Sequence, residues 1–176
     1  MQAELQDFDE VVRLHWRQVH RFIAASVRDA DSAQSLTQDC FMRAYSARDA
    51  FRGQAGVKTW LMQIAVNLVR DFSRSRRLQF WKRVSASAVD PGDAGSLLPD
   101  GGDSPEGLAL QREQVRIILE ASRSLPERQR TVFLLRFVEE MDLLEIATAT
   151  GMKEGTVKTH LSRAVRAIRG RLGDWK

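Results

Sequence analysis

The chain has 176 residues, of which 43% are hydrophobic and 28% charged, and its formal net charge is +4. This length and composition suit one ordinary domain or two small ones, with enough apolar side chains to form a core. The presence of a single cysteine excludes an internal disulfide and a cysteine-rich metal site.

The first ten residues are acidic and contain no apolar stretch, so the sequence predicts no signal peptide. No apolar run approaches the roughly 18 residues that a membrane-spanning helix needs. We therefore expect a cytoplasmic protein without membrane insertion.

Helical periodicity recurs along the chain, and strand-like alternation is almost missing, which predicts an all-α fold. On the first two helices, His15 and His20 are expected at the surface or in packing positions, and Cys40 on an apolar stripe as a buried, inert thiol. The predicted helices cover residues 8–27, 32–48, 57–78, 108–123, 127–138, 142–150 and 155–171.

The third predicted helix has two distinct faces. Its core side is expected to hold Val57, Leu61, Ile64, Leu68 and Phe72. The opposite arc holds Gln63, Asn67, Arg70, Arg74 and Arg77, with Trp60 at the border. A half-exposed aromatic beside an amide and a row of arginines suits single-stranded nucleic acid, because bases stack on the ring while guanidinium groups hold the backbone. The alternative is that Trp60 simply completes the core.

Between residues 84 and 106 the composition changes to Gly, Pro and Ser, and every charged residue there is acidic. This composition is typical of a flexible linker. The sequence therefore predicts two small helical domains, at residues 1–83 and 107–176, joined by a flexible acidic linker. The acidic residues are Asp90, Asp93, Asp100, Asp103 and Glu106.

The segment from Asp142 to Arg169 has the pattern of a helix-turn-helix, with a turn at Gly151. Asp142 and Glu145 have the spacing of a capping box at the start of the first helix. The second helix places its apolar residues in an arc of roughly 100°, and its opposite arc holds Lys158, Thr159, Ser162, Arg163, Arg166 and Arg169. Such a helix packs on one side and meets phosphates and base edges with the other.

Two alternatives remain open at this point. The segment also fits an ordinary packed helical hairpin with a solvated basic face. His160, at the flank of the second helix, fits either a packing position or a phosphate contact.

Four motifs resemble bacterial sigma factors of the sigma-70 family, and the short two-domain layout resembles the extracytoplasmic-function (ECF) group, also called group IV. The resemblance extends over both predicted domains and nearly the whole chain outside the linker. The motifs are Leu36–Phe41, Phe51–Gly53, Thr59–Asn67 and Leu125–Arg130, which precedes the helix-turn-helix.

The resemblance implies a factor that binds core RNA polymerase and directs it to specific promoters by reading the −35 duplex and melting the −10 region. It implies polymerase contacts at Leu36, Gln38, Asp39, Phe41 and Arg43, −10 contacts on the third helix at Trp60, Gln63, Asn67, Arg70, Arg74 and Arg77, and −35 contacts at Arg136, Lys158, Thr159, Ser162, Arg163 and Arg166. It also implies an anti-sigma factor as a partner, an RNA exit channel that accepts the acidic linker, and a monomer when the chain is free of partners.

The sequence departs from the family pattern at three places. Residues 32–35 carry no acid before the Leu36 motif, Lys153 stands where a capping Ser or Pro is common, and Glu140 stands where glycine is usual. The first departure removes charge from the implied polymerase contact.

Two other functions compete with the sigma-factor hypothesis. A stand-alone helix-turn-helix regulator would bind an operator without polymerase, usually as a two-fold dimer. An enzyme is disfavoured because the three histidines are scattered and no carboxylate cluster, metal-ligand spacing or phosphate-binding glycine loop is present. We therefore expect no catalytic residues, cofactor or metal.

Overall fold

The computed structural model describes residues 7–27, 29–84 and 115–172, with side chains described in these ranges except at 79–84. All regular elements in these ranges are helical, which confirms the all-α prediction. The chain forms two compact units: of the described residues, 7–27 and 29–84 belong to the first, and 115–147 and 151–172 to the second.

The first unit is built by α1 (Phe8–Val27), α2 (Ala30–Ala47) and α3 (Val57–Val84), and each of these helices packs against the other two. A short 3-10 turn, Arg48–Ala50, follows α2. The core side chains include Val19, Phe22, Ile23, Cys40, Leu61, Met62 and Val69.

The second helix begins two residues earlier than the periodicity predicted, because Asp29 caps it. A carboxylate oxygen of Asp29 accepts a hydrogen bond from the backbone N–H of Ser32 at 2.8 Å. Hydrogen bonds from the Ser32 hydroxyl and backbone lower the pKa of the Asp29 carboxyl. The polar residue at the turn therefore sets the start of α2 ahead of its apolar stripe.

The predicted core arc of α3 was too narrow and partly misplaced. Leu61 and Leu68 are buried as expected, but Val57, Ile64 and Phe72 remain partly exposed. Because α3 packs against both α1 and α2, its buried arc is wider than one partner would require. The additional buried residues are Thr59, Met62, Ala65, Val66 and Val69.

Cys40 lies in this core, as predicted. Its thiol points to the carbonyl oxygen of Leu61 at 3.6 Å, and burial raises the pKa of the thiol to about 12. The side chain is therefore protonated and unreactive in the folded protein.

In the rest of the described chain, residues 115–122 form the described part of α4, followed by α5 (Glu127–Phe137), α6 (Leu143–Thr150) and α7 (Glu154–Leu172). The predicted helix at 108–123 therefore lies partly outside the described residues. Helices α5 and α7 pack on each other. The core side chains of this part include Val132, Leu134, Leu135, Met141, Ile146, Val157, Ala164 and Ile168.

The predicted helix-turn-helix is confirmed by its caps. Asp142 accepts a hydrogen bond from the backbone N–H of Glu145 at 2.8 Å, and Glu145 accepts one from the backbone N–H of Asp142 at 2.8 Å. Gly151 ends α6 with a φ of 70°, in the left-handed region that glycine adopts without strain. The two helices are thus separated by the turn that the sequence predicted.

The predicted acidic linker, residues 84–106, lies outside the described residues except for Val84, the last residue of α3. The domain boundaries at 83 and 107 therefore remain predictions. Among the helices that the structure describes, none is both long enough and apolar enough to cross a membrane.

Candidate nucleic-acid interface

Helix α7 presents one buried and one exposed side. Val157, Ala164 and Ile168 are buried. The polar residues predicted on the opposite arc are exposed: Lys158, Thr159, Ser162, Arg163, Arg166 and Arg169. Within the described part of the chain, no hydrogen bond or ion pair engages Arg163 or Arg166. Their guanidinium groups are therefore open to an anionic ligand.

Two residues in the first turns of α7 have partners in their own helix. Lys158 forms an ion pair with Glu154 at 2.7 Å, and both side chains are roughly half exposed. Such a surface pair contributes little to stability, so a phosphate can displace the carboxylate at small cost. The hydroxyl of Thr159 donates to the carbonyl oxygen of Gly155 at 2.9 Å, which leaves its methyl group and lone pairs for a ligand.

Arg136, predicted to contact DNA, also holds the turn before α6. Its Nη1 donates to the carbonyl oxygen of Met141 at 2.9 Å. The side chain is exposed, and a guanidinium group has further N–H donors beyond the one used here. Arg136 therefore connects α5 to the turn and still lies at the surface.

His160 is half-buried, between the two sides of α7. Its Nδ1 atom is enclosed and makes no hydrogen bond among the described residues. The ring thus packs partly into the protein, which favours the packing role over a phosphate contact.

Helix α3 presents the second polar face. Gln63, Arg70, Arg74 and Arg77 are exposed along it, and Asn67 is partly buried among them. The amide oxygen of Asn67 accepts a hydrogen bond from Nη2 of Arg70 at 2.8 Å. The basic and amide residues predicted on this face are therefore at its surface.

Trp60 lies at the edge of the same face and is half-exposed. Its ring centroid lies 4.9 Å from that of Phe51, with the ring planes tilted by 41°. Phe51 is buried in the loop before α3, and its ring packs against the inner side of the Trp60 ring. The two readings of Trp60 are thus compatible, because one part of the ring packs while another faces solvent.

Helix α2 carries the predicted polymerase contacts. Gln38, Asp39 and Arg43 are exposed, and Leu36 is half-buried. Phe41 is buried, with its ring stacked on that of Trp16 at a centroid distance of 5.4 Å. Phe41 therefore packs between α2 and the core, and the exposed surface of the helix is formed by the residues beside Phe41.

Two exposed apolar side chains on α2 were not predicted from the sequence. Met42 is 68% exposed and Tyr45 is 51% exposed. The available signal was Met42 itself, an apolar residue one turn after Gln38 on the polar side of the helix. An exposed methionine amid polar residues is typical of a protein-binding surface.

The described residues bring together no group of three or more His, Cys, Asp or Glu side chains suited to a metal ion. The chemistry available at the described surfaces is hydrogen bonding, stacking and charge attraction.

Comparison with known families gives two matches in chain order. The family described as Sigma-70 region 2 matches residues 11–79, which include most of α1, all of α2 and most of α3. The family described as Sigma-70, region 4 matches residues 116–168, which include α5, α6 and most of α7.

Curated relatives extend over nearly the whole chain. The RNA polymerase sigma-H factor of Pseudomonas aeruginosa is 32% identical over 165 residues, which cover 92% of this chain and 83% of that protein. The ECF RNA polymerase sigma factor SigW of Bacillus subtilis is 27% identical over 167 residues, covering 95% of this chain and 89% of SigW.

A solved structure has a similar fold. The sigma factor RpoE of Bartonella quintana, crystallised with the anti-sigma factor NepR, superposes with a TM-score of 0.74 at 22% identity, covering 97% of this chain and 99% of that one. At this identity the similarity establishes the fold alone.

Proposed function

The chain belongs to the sigma-70 family of RNA polymerase sigma factors, in the ECF group, and from this premise we propose how its surfaces divide the work of promoter recognition. The protein binds core RNA polymerase and directs it to specific promoters. The family acts in initiation of transcription and is not a family of enzymes, so the chain contributes binding energy and sequence selection to the polymerase.

One observation supports this division more than any other: each unit contains a helix with a buried side and an exposed side on which arginines lie beside amide or hydroxyl side chains. On α7 the exposed side includes Arg163 and Arg166, and on α3 it includes Arg70 and Arg74. Two such faces suit two separate contacts with the same DNA. A solvated basic surface would need no half-exposed tryptophan supported by Phe51.

We assign the −35 duplex to α7. An exposed helix enters the major groove, where arginine donates two hydrogen bonds to guanine and small polar side chains contact other base edges. Arg163, Ser162 and Thr159 contact the bases, and Lys158 and Arg166 hold phosphates. Arg136 reaches the duplex from α5 while it holds the turn at Met141.

We assign the −10 region to the exposed face of α3. Melting a DNA step costs about 1.4 kcal/mol of stacking, and capturing an unstacked base on an aromatic ring returns ~1–3 kcal/mol. Trp60 supplies the ring, Gln63 and Asn67 supply amides, and the arginines hold the displaced strand. Capture of one base on Trp60 therefore offsets the stacking cost of about one DNA step.

We assign docking on polymerase to the outer surface of α2, which carries Leu36, Gln38, Asp39 and Arg43. Because related sigma factors are bound by anti-sigma factors, as the NepR complex of RpoE illustrates, an anti-sigma factor is a partner of this chain as well. The free chain is a monomer and acts in the cytoplasm, where polymerase and promoters are found.

The decisive experiment is run-off transcription from genomic fragments of the host, with purified core polymerase in the presence and absence of the protein. We expect discrete transcripts that require the protein. Footprinting of DNA by the protein alone, without such transcripts, would instead identify a stand-alone regulator.

The −35 assignment is tested by replacing Arg163 with alanine. If Arg163 donates to a base, the variant should lose roughly 1–3 kcal/mol of promoter binding by holoenzyme and relax its preference at one −35 position. Arg171→Ala, at the exposed end of the same helix, is the matched control and should leave the preference intact. An unchanged preference in Arg163→Ala would exclude the base contact.

A further inference from the structure

We propose that His20 is a positioning residue for polymerase docking, because its hydrogen bond to Thr37 fixes the register of α2 against α1. The proposal rests on the docking role proposed for α2 and adds the contact that sets how this helix is presented. The sequence alone placed His20 at the surface or in a packing position. The structure gives its ring a specific partner on the neighbouring helix.

The contact joins the two helices through a buried hydroxyl. Nδ1 of His20 lies 3.1 Å from Oγ1 of Thr37, and Thr37 is fully buried while His20 is half-buried. The same hydroxyl donates to the carbonyl oxygen of Ala33 at 2.7 Å. Because a hydroxyl has one proton, both contacts are satisfied together only when Nδ1 carries a proton and donates to Oγ1. The neutral ring of His20 is therefore protonated on Nδ1, and its Nε2 atom is an acceptor.

The histidine contact differs in kind from the ring contacts between α1 and α2. Phe8 meets Tyr45 with centroids 5.2 Å apart, and Trp16 stacks on Phe41 at 5.4 Å. Aromatic pairs stay favourable over centroid distances of about 4.5–7 Å, so these rings hold the helices together and still permit small shifts along the axis. A hydrogen bond weakens steeply outside a narrow range of distance and angle. The histidine hydrogen bond therefore restricts sliding of α2 along α1.

The buried hydroxyl lies in the same helical turn as residues assigned to docking. Leu36 and Gln38 flank Thr37 in the sequence, and Asp39 follows two positions later. A shift of this turn moves all of their side chains together. A binding surface keeps its complementarity only when its residues are held within about 0.5 Å of the bound geometry. A helix that is fixed in register before binding also loses less conformational freedom when the partner docks.

His15 provides a matched control on the same helix. Its Nδ1 atom lies 3.2 Å from Oε1 of Gln18, three residues later in α1. Like His20, it is half-buried. Its hydrogen bond stays within α1, so the loss of that bond does not release α2.

The experiment measures the affinity of variants of the full chain for purified core polymerase. His20→Phe keeps a ring and loses the donor, and Thr37→Val keeps the shape and loses the acceptor. Each should weaken polymerase binding about three- to tenfold, and the double variant should lose no more than either single variant, because both remove the same contact.

Conservative variants should rescue docking. His20→Asn retains an N–H donor near the position of Nδ1, and Thr37→Ser retains the hydroxyl. Both variants, and the control His15→Phe, should bind polymerase within about twofold of the unmodified protein.

Two further readouts separate positioning from a general loss of folding. NMR of protein with isotope-labelled histidine reports which ring nitrogen carries the proton. We expect Nδ1 of His20 to carry it in the unmodified protein, and a mixture of tautomers in Thr37→Val. Binding of a −35 duplex by the protein alone is assigned to α7, in the other unit, so all variants should retain it. If His20→Phe does not fold, the comparison of Thr37→Val with Thr37→Ser decides in its place.

Equal losses in His20→Phe and His20→Asn would show that docking requires the ring and not its donor, and would overturn the proposal. Full polymerase affinity in both His20→Phe and Thr37→Val, or a neutral His20 ring protonated on Nε2, would overturn it as well. These outcomes would leave the sigma function intact, because the unmodified protein would still bind polymerase. If the unmodified protein did not bind core polymerase, the proposed function would fail, and the positioning role with it.

Discussion

Glu140 turns the chain between α5 and α6 with a φ of 55°, the left-handed backbone conformation that residues with a Cβ atom adopt at a cost. For an L-residue the penalty is about 1–2 kcal/mol. The neighbouring residues hold the turn in place: Met141 is fully buried, and its carbonyl oxygen accepts a hydrogen bond from Arg136. The strain therefore persists because packing and hydrogen bonding on its C-terminal side determine the path of the chain.

Replacing Glu140 with glycine should stabilise the second unit by about 1 kcal/mol, because glycine adopts this conformation without the steric penalty. The free energy of unfolding in urea measures the effect. Glu140→Ala is the control, since it removes the charge and keeps the Cβ atom. Equal stabilisation by both variants would show that the side-chain charge, and not the backbone, carries the cost.

The Cys40 thiol should be almost inert in the native state. Burial raises its pKa to about 12, so at pH 8 its reaction with an aromatic disulfide reagent should be slowed on the order of a thousandfold relative to the unfolded chain. A raised folded-state pKa also means that the thiol's contribution to stability is complete below about pH 8.5 and is lost as the pH rises towards 12.

Reagent kinetics with and without urea test this expectation. Unfolding curves of Cys40→Ala and the unmodified protein, measured at pH 8 and pH 10, test the linkage. Rapid modification of the native protein would place the thiol at the surface.

At the scale of elements, most of the fold was predictable because local signals agreed with one another. The capping box of Asp142 and Glu145, the glycine at 151 and the helical period gave the limits of α6 and α7 within one or two residues. The start of α2 was missed because the prediction followed apolar residues, whereas Asp29 begins the helix with a polar contact.

It was harder to predict which residues of α3 are buried. A helical projection identifies the most apolar arc of a helix, and this arc corresponds to packing against one neighbouring helix. Helix α3 packs against two, so small and polar residues such as Thr59 and Ala65 are buried while Ile64 stays partly exposed. The number of packing partners is set by the tertiary fold and not by the segment itself.

The cap of α6 should affect both stability and DNA binding. Asp142→Ala removes the acceptor for the N–H of Glu145 and should cost about 1 kcal/mol. Asp142→Asn keeps an acceptor and serves as the control. Thermal unfolding measures the cost, and we expect weaker −35 binding in proportion, because a frayed α6 no longer holds the turn before α7. If Asp142→Ala bound the −35 element with full affinity, the cap of α6 would not contribute to DNA binding.

For the whole molecule, the two basic faces imply two separate DNA contacts, and we expect each to be weak until polymerase makes them act together. Linked contacts on one partner raise affinity by about 10²–10⁴-fold without any new interaction. We expect the protein alone to bind promoter DNA weakly, through the −35 element, and with strong dependence on salt. Addition of core polymerase should raise the affinity at least about a hundredfold.

Fluorescence anisotropy at fixed salt tests this, with promoter fragments whose −35 or −10 element is scrambled. With polymerase, scrambling either element should weaken binding; without it, only the −35 element should matter. Tight binding of promoter DNA by the protein alone would contradict the expectation that polymerase makes two weak DNA contacts act together.

The candidate sites were predicted less completely than the fold. Sequence placed the arginines and amides of α3 on one face, but not the hydrogen bond between Arg70 and Asn67, which depends on side-chain rotamers. It placed Phe41 with the docking residues, because sequence spacing alone does not separate a contact from the ring stacked beneath it. Met42, which is exposed, was not among the predicted contacts.

The stack of Phe41 on Trp16 lets the outer residues of α2 vary while the helix stays in place. Substitutions at Ser32 and Ser35, which precede the Leu36 motif, are therefore expected to alter the strength of the proposed polymerase contact and to leave its geometry unchanged. A bacterium with several sigma factors has a limited pool of polymerase to divide among them. Surface substitutions on this helix then change the share of polymerase that each factor binds. Evolution can adjust that share without any change to the promoters that each factor recognises.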